Sequence, residues 1–258
     1  MNYETIISNN TQFGQEIILN RPEQKNSINS AMARDILGAL KKAEQNEQTV
    51  VVLKGQDGVF CTGMDFEAFA NSDPNNPQKS EAFSPGYMEM LRRISLFPGA
   101  VISLVDGEVM AGGVGLVAAS DFVIATKRSR FSLSEALWGL LPAMVTPYLI
   151  RRTGFQNAYR MTLTTMPVSA QRAYETNLID QLTENQKEAE QALKRLWLRL
   201  GKLSVSTIKE MKKYFRKMWI ITEEMEKTAE AEIIKLTGLP QVRENIENFV
   251  KYGKFPWN

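Results

Sequence analysis

The sequence predicts an α/β domain built from repeated ββα or βα units around a mostly parallel sheet, followed by a helical region. Three observations carry that reading. Short β-branched runs recur through the first half: Thr49-Val-Val-Val-Leu53, Val101-Ile-Ser-Leu-Val105 and Phe122-Val-Ile-Ala-Thr126. Continuous apolar strands of this length are those covered by helices on both faces. Helical patterns separate these runs, as βα alternation requires. Beyond Thr146 the strand signals stop and helical periodicity takes over, so the expected division is a core over 1–200 and a C-terminal helical region over 201–258.

Taken in order, Tyr3-Glu-Thr-Ile-Ile7 and Gln15-Glu-Ile-Ile-Leu19 flank a polar turn and predict an opening hairpin, closed by Arg21-Pro22. Ser30 suits an N-cap for a helix to about Asn46, with Met32, Ile36, Leu37 and Leu40 on one face. The strand from Thr49 ends at Gly55, and Val59-Phe-Cys-Thr-Gly-Met-Asp-Phe66 places a glycine turn after a short apolar run. Residues 71–86 carry Pro74, Pro77 and Pro85 among polar residues, which predicts a long loop and a candidate lid. A helix from Tyr87 to Leu96 closes it. Helices are then expected near 147–163, 169–176, 184–202, 205–236 and 240–252. Within 205–236, Met211, Phe215, Met218, Trp219 and Met225 are expected to form a packing face.

Composition narrows the chemistry. The formal net charge of +2 gives no electrostatic case for nucleic acid or an anionic membrane. No stretch approaches the ~20 apolar residues of a membrane span, and Met1-Asn-Tyr-Glu-Thr has no signal-peptide character. A cytoplasmic location is the expectation. Cys61 is the sole cysteine and histidine is absent. Ser-His-Asp and Cys-His systems are therefore excluded, as are His-ligated and multi-cysteine metal sites, so no metal or cofactor is expected. Catalysis must run on carboxylates, lysines, tyrosines or backbone dipoles.

The candidate site lies between Val101 and Pro142. The strand from Val101 closes at the turn pair Asp106-Gly107, and Met110-Ala-Gly-Gly-Val-Gly115 leads into a small apolar helix, Leu116-Val-Ala-Ala119. Glycines at a strand-to-helix junction admit a ligand close to the backbone and present unpaired N–H groups to it. Such groups attract a phosphate or an oxygen that becomes anionic during reaction. Glu135 follows among Leu133, Ala136, Leu137 and Trp138, where burial would raise its pKa towards that of a working base. A bland reading stands beside this one: glycines for close packing, and Glu135 as a helix N-terminal charge behind Ser134.

The motif order resembles the crotonase (enoyl-CoA hydratase/isomerase) superfamily. The resembling segments are Val59-Phe-Cys-Thr-Gly-Met-Asp65, Asp106-Gly-Glu-Val-Met-Ala-Gly-Gly113, Phe131-Ser-Leu-Ser-Glu-Ala-Leu-Trp-Gly-Leu-Leu-Pro142, Val168-Ser-Ala-Gln-Arg-Ala173 with Asn177-Leu-Ile-Asp180, and Phe249-Val-Lys-Tyr-Gly-Lys-Phe-Pro256. The resemblance implies a crotonase fold of stacked ββα units with a helical trimerisation region, assembling as a homotrimer or hexamer. It implies a thioester substrate on a phosphopantetheine arm, carried by an acyl carrier protein or by CoA. It assigns the oxyanion hole to the N–H groups of Met64 and Gly112, the catalytic carboxylate to Glu135, and substrate binding to Gly63, Asp65, Gly113 and Lys25. For Asp65 a structural role is favoured over a catalytic one.

Two departures refine the expectation. Hydratases of the family usually have two glutamates; Glu135 matches the second, while the first falls at Gly115. One base remains, able to take an α-proton and return a proton to a leaving hydroxyl. In Ala111-Gly-Gly-Val-Gly115, Phe131 to Ala143, Pro147-Tyr-Leu-Ile-Arg-Arg152, Met161-Thr-Leu163 and Phe255-Pro-Trp257 the chain looks most like the dehydratases of polyketide β-branching cassettes, which convert 3-hydroxy-3-methylglutaryl-ACP to 3-methylglutaconyl-ACP. The partner decarboxylases of those cassettes rely on a Tyr, a Lys and a distal His, but Ala68 and Ser72 occupy the first two positions here and histidine is absent. Arg151 and Arg152 could pair with a distal carboxylate, with helix-surface salt bridges favoured. The alternatives are a Δ3,Δ2-enoyl-CoA isomerase, a general enoyl-CoA hydratase, and a non-catalytic crotonase-fold protein.

Overall fold

The structure, a computed structural model, describes residues 3–11, 14–73, 86–218 and 221–257. Two sheets share the work. The larger has the order β1-β2-β3-β5-β7-β10, from Ile6–Thr11 (β1), Gly14–Leu19 (β2), Val50–Lys54 (β3), Ala100–Val105 (β5), Phe122–Thr126 (β7) and Gln181–Thr183 (β10). β1 and β2 pair antiparallel, and every other pairing in this sheet is parallel. The smaller has the order β4-β6-β8-β9, from Val59–Cys61 (β4), Glu108–Met110 (β6), Arg130–Ser132 (β8) and Val168–Ser169 (β9). Its strands pair parallel except β8 with β9. From β3 to β8 the chain thus winds as a spiral, giving one strand to the larger sheet and then one to the smaller, with helices between successive pairs.

Alternation explains why the central strands are apolar throughout. In β3, Val51 and Leu53 enter the main core with Ile36 and Leu40 of α1 (Ser30–Gln45) and Leu91 of α3 (Gly86–Leu96). Val50 and Val52 face the other way, onto Ala189, Leu193 and Trp197 of α8 (Gln186–Leu200). Successive side chains point to opposite faces, and both faces are covered.

Several expectations are corrected. The hairpin begins at Ile6, because Glu4 and Thr5 instead hand their N–H groups to Asp35. The cap of α1 is Asn29, whose side chain accepts from the Met32 N–H, not Ser30. Strands do not stop at Thr146: β9 and β10 extend each sheet by one edge, and their brevity hid them. The expected helix 147–163 is broken at Gly154 into Thr146–Thr153 (α5) and Phe155–Thr164 (α6). The expected helix 205–236 divides into Val205–Arg216 (α9) and Glu223–Thr237 (α10). Met211, Phe215 and Met218 are exposed on this chain and form no packing face within it, Met225 is half-buried, and Trp219 lies outside the described residues. Most of the proline-rich segment expected as a lid, 74–85, also lies outside them.

The end of the chain turns back onto its own core. Glu226 of α10 is buried and accepts from the Tyr148 hydroxyl at 2.9 Å. Val242 and Ile246 of α11 (Pro240–Tyr252) pack with Phe69 of α2 (Phe66–Ala70) and with Trp138. Among the described residues, no helix is long and apolar enough to cross a membrane.

Candidate active site

The site is assembled where the chain leaves β4 and β6. After β4 the backbone turns at Gly63, with φ of +87°. The carbonyl of Gly63 accepts from the Ile28 N–H at 2.6 Å, and the Asp65 N–H donates to the Ile28 carbonyl at 3.0 Å. Those two bonds bracket Met64 and leave its N–H over. Asp65 then caps α2, accepting from the Ala68 N–H at 3.0 Å, and pairs with Arg21 at 2.8 Å. These bonds fix the turn that carries Met64.

The second turn leaves β6 through Ala111, whose N–H donates to the Ser132 carbonyl at 2.9 Å. Ala111 has φ of 47° and ψ of −120°, a conformation costly for any residue with a side chain. Gly112 follows as the first residue of α4 (Gly112–Ala119), so its N–H belongs to the helix's unpaired first turn. A Cβ added to Gly63 would lie 2.5 Å from the Ala111 Cβ and 3.0 Å from the Gly112 nitrogen. The two turns therefore touch only because Gly63 lacks a side chain. Among the described residues neither the Met64 N–H nor the Gly112 N–H has a hydrogen-bond acceptor.

Glu135 arrives from the third turn. After β8 the chain enters a single 3-10 turn, Glu135–Trp138, closed by Gly139 at φ of 81°. Ser134 makes no capping bond with its side chain, so the bland reading of Glu135 as a capped helix-terminal charge does not hold. One carboxylate oxygen, Oε2, is buried without a hydrogen-bond partner. Burial pushes the Glu135 carboxyl up to about 7, with its own backbone N–H opposing the shift. The expected source of that burial needs correcting, since Ala136 and Leu137 are exposed. Leu133 and Trp138 are buried as expected, and Trp138 lines the cavity together with Tyr87, Leu140, Ala143 and Val145, which complete the apolar surroundings.

That cavity has a volume of about 870 Å³. Met64, Gly112 and Glu135 lie on its wall together with Asp65, and Lys25 lines it while remaining exposed. Gly63 and Gly113 do not reach it. A Cβ on Gly113 would overlap the Cys61 carbonyl oxygen, so Gly113 serves the close approach of α4 to β4. Arg151 and Arg152 do not line the cavity either. Rather than making only surface salt bridges, they donate to carbonyls at the end of α4: Arg151 to Ala118 and Ser120, and Arg152 to Ser120 at 3.0 Å. Arg152 also pairs with Asp180.

The outer wall is aromatic and comes from the end of the chain. Trp138 packs edge-on against Phe66 and Phe249, with ring centroids 4.9 and 5.1 Å away, and Phe255 and Trp257 extend the cluster. The C-terminal segment thereby clamps the turn that begins at Glu135. Sequence reasoning missed two residues here, Ala111 and Tyr87. Only the preceding Met110 and following glycines hinted at the first, and nothing local marked the second.

Comparison with known proteins places the chain in a family. Residues 14–258 match the enoyl-CoA hydratase/isomerase family profile. The bacillaene synthase dehydratase PksH of Bacillus subtilis is 36% identical over 241 residues, covering 93% of this chain and 92% of that protein. The chain belongs to the enoyl-CoA hydratase/isomerase family. A B. subtilis crystal structure described as a polyketide biosynthesis enoyl-CoA hydratase (PksH) superposes with a TM-score of 0.89 at 34% identity, covering 99% of this chain and 100% of that one. The 1,2-epoxyphenylacetyl-CoA isomerase of Escherichia coli is 30% identical over 193 residues, 73% of each chain. The fold is the crotonase fold, and the chain is an enzyme of the family's hydratase/dehydratase type.

Proposed function

We propose that this protein is an acyl-thioester dehydratase of polyketide β-branching, converting 3-hydroxy-3-methylglutaryl-ACP to 3-methylglutaconyl-ACP. The observation that carries the reading is the Glu135 carboxylate, its Oε2 buried and without a hydrogen-bond partner, in a cavity with two unbonded N–H donors, Met64 and Gly112. The thioester oxygen sits against the two N–H groups, where each donor is worth a few kcal/mol as negative charge develops. That polarisation makes the C2 proton acidic enough for Glu135 to remove it. The electron pair left on C2 forms the C2–C3 double bond, and the C3–O bond breaks. The departing hydroxyl takes the proton that Glu135 has just acquired and leaves as water. One carboxylate thus serves as base and then acid on one face of the substrate.

The apolar side chains on the cavity wall, among them Trp138, Leu140 and Val145, suit this sequence, because excluding water from the reacting carbons disfavours readdition. Lys25 stands at the mouth as a cation for the phosphate of a pantetheine arm. An acyl carrier protein is the proposed carrier, since Lys251 and Lys254 are few for gripping a nucleotide. The proposed assembly is a homotrimer or hexamer. It is supported by the exposed apolar residues of α6 and α9, namely Phe155, Tyr159, Leu163, Met211, Tyr214 and Phe215. Light scattering that found only monomer at micromolar concentration would rule that assembly out.

Incubation with a panel of acyl-ACP and acyl-CoA thioesters, read by mass spectrometry, tests the substrate. The expected result is loss of one water from 3-hydroxy-3-methylglutaryl-ACP. If that thioester is left intact while the double bond of a 3-enoyl-CoA moves, the protein is an isomerase.

A further inference from the structure

Tyr87 stands at the centre of the site. It lies in the first turn of α3, is 6% exposed and lines the cavity. Its hydroxyl donates to the Gly112 carbonyl at 2.6 Å. A Cβ on Gly115 would overlap that hydroxyl oxygen and meet Val145 Cγ2 at 3.1 Å, so Gly115 leaves the space that Tyr87 fills. A Cβ on Gly112 would lie 3.4 Å from Tyr87 Cζ and 3.2 Å from Ile28 Cδ1. The phenol is therefore wedged between two glycines of one helix turn, bonded to the residue whose N–H faces the cavity.

The strain at Ala111 shows how the Gly112 N–H could be lost from the site. With φ of 47° and ψ of −120°, Ala111 can relax by a half-turn of the peptide that joins it to Gly112. That flip would bring ψ to about +60°, in the left-handed region open to alanine. Gly112 has no side chain to resist the accompanying change in its own φ. After the flip a carbonyl, not an N–H, would face the thioester oxygen. The Val114 N–H opposes it directly by holding the Ala111 carbonyl at 2.9 Å, and the Tyr87 hydroxyl fixes the other side of Gly112 by holding the next peptide at the Gly112 carbonyl, so that the residue cannot shift its N–H away from the cavity.

We infer that Tyr87 is a positioning residue, whose bond to the Gly112 carbonyl holds the Gly112 N–H towards the substrate's carbonyl oxygen. The inference rests on the acyl-thioester reading above but not on any particular acyl chain. Burial, together with the acidic groups Cys61 and Glu135 nearby, raises the Tyr87 pKa well above its ordinary value, so the hydroxyl remains a donor at working pH.

The test uses Tyr87→Phe, which keeps the ring between the glycines and removes only the hydroxyl. Turnover of the dehydration substrate is expected to fall about 10²-fold, the scale of losing one oxyanion donor, with KM little changed. The direct readout is the infrared carbonyl band of bound isovaleryl-pantetheine labelled with carbon-13 at the thioester, a probe that cannot eliminate water. Wild-type protein should move that band to lower wavenumber, and Tyr87→Phe should lose most of the shift. Gly115→Ala, which displaces the hydroxyl, should reproduce the loss and add little to it in the Tyr87→Phe background. Full turnover in Tyr87→Phe, or lost turnover with the band shift intact, overturns the inference. No band shift in the wild type overturns the acyl-thioester reading as well.

Discussion

Gly63 and Ala111 meet so closely that a Cβ on the former would lie 2.5 Å from the Cβ of the latter. This contact sets the spacing of the two N–H donors, because Met64 follows one residue and Gly112 the other. Gly63→Ala must push the turns apart and place alanine at φ of +87°. We predict a loss of stability of about 1–3 kcal/mol, the range for a strained backbone position, and a fall in turnover larger than stability explains. Thermal unfolding and steady-state kinetics on one preparation measure both; unchanged turnover would separate Gly63 from the site.

The raised pKa of Glu135 predicts a pH dependence of definite sign. Since the base must be ionised, kcat/KM should rise with pH up to about 7 and level off above it. Stability runs the opposite way. The folded state holds the Glu135 proton more tightly than the unfolded chain, whose carboxyl titrates near 4.5. The contribution is therefore fully present below 4.5 and lost as pH rises through about 7. A separation of this size amounts to roughly 3 kcal/mol. Glu135→Gln should accordingly be more stable than wild type at pH 8, with the gap closing at pH 4, as chemical denaturation at the two pH values would show. A variant less stable at pH 8 would mean the carboxylate is paired in solution.

Phe249 links the C-terminal segment to Trp138 and so to the turn that begins at Glu135. Phe249→Ala should cost about 2 kcal/mol of stability through lost aromatic packing. It should also admit water to the carboxylate, which favours the ionised form. The rising limb of the kcat/KM profile is expected to move to lower pH. A profile that stays in place would show that the aromatic wall does not set the polarity around Glu135.

The legible parts of this protein were those whose cause is local. The apolar strands announced themselves because both faces of β3, β5 and β7 are buried. Gly112 and Glu135 were legible from glycines and a carboxylate in an apolar run, with the family resemblance assigning their roles and adding Met64. The short strands β9 and β10 were not legible, since two or three residues carry no periodicity. Tyr87 was hidden for a different reason: its meaning depends on an empty space at Gly115, in another helix and 28 residues later (115 − 87). The burial of Glu135 was credited to four chain neighbours, of which Leu133 and Trp138 are buried while Ala136 and Leu137 are exposed. Tyr87 and Val145 complete it from farther along the chain, and no local pattern encodes such contacts.

The central claim is that one carboxylate, Glu135, performs both proton transfers of the dehydration. Wild-type protein and Glu135→Gln should be compared on 3-hydroxy-3-methylglutaryl-ACP by following the acyl-ACP mass over time. The predicted result is loss of water by the wild type and a rate at least about 10²-fold lower in the variant, with both proteins folded. Near-wild-type loss of water by Glu135→Gln would contradict the account.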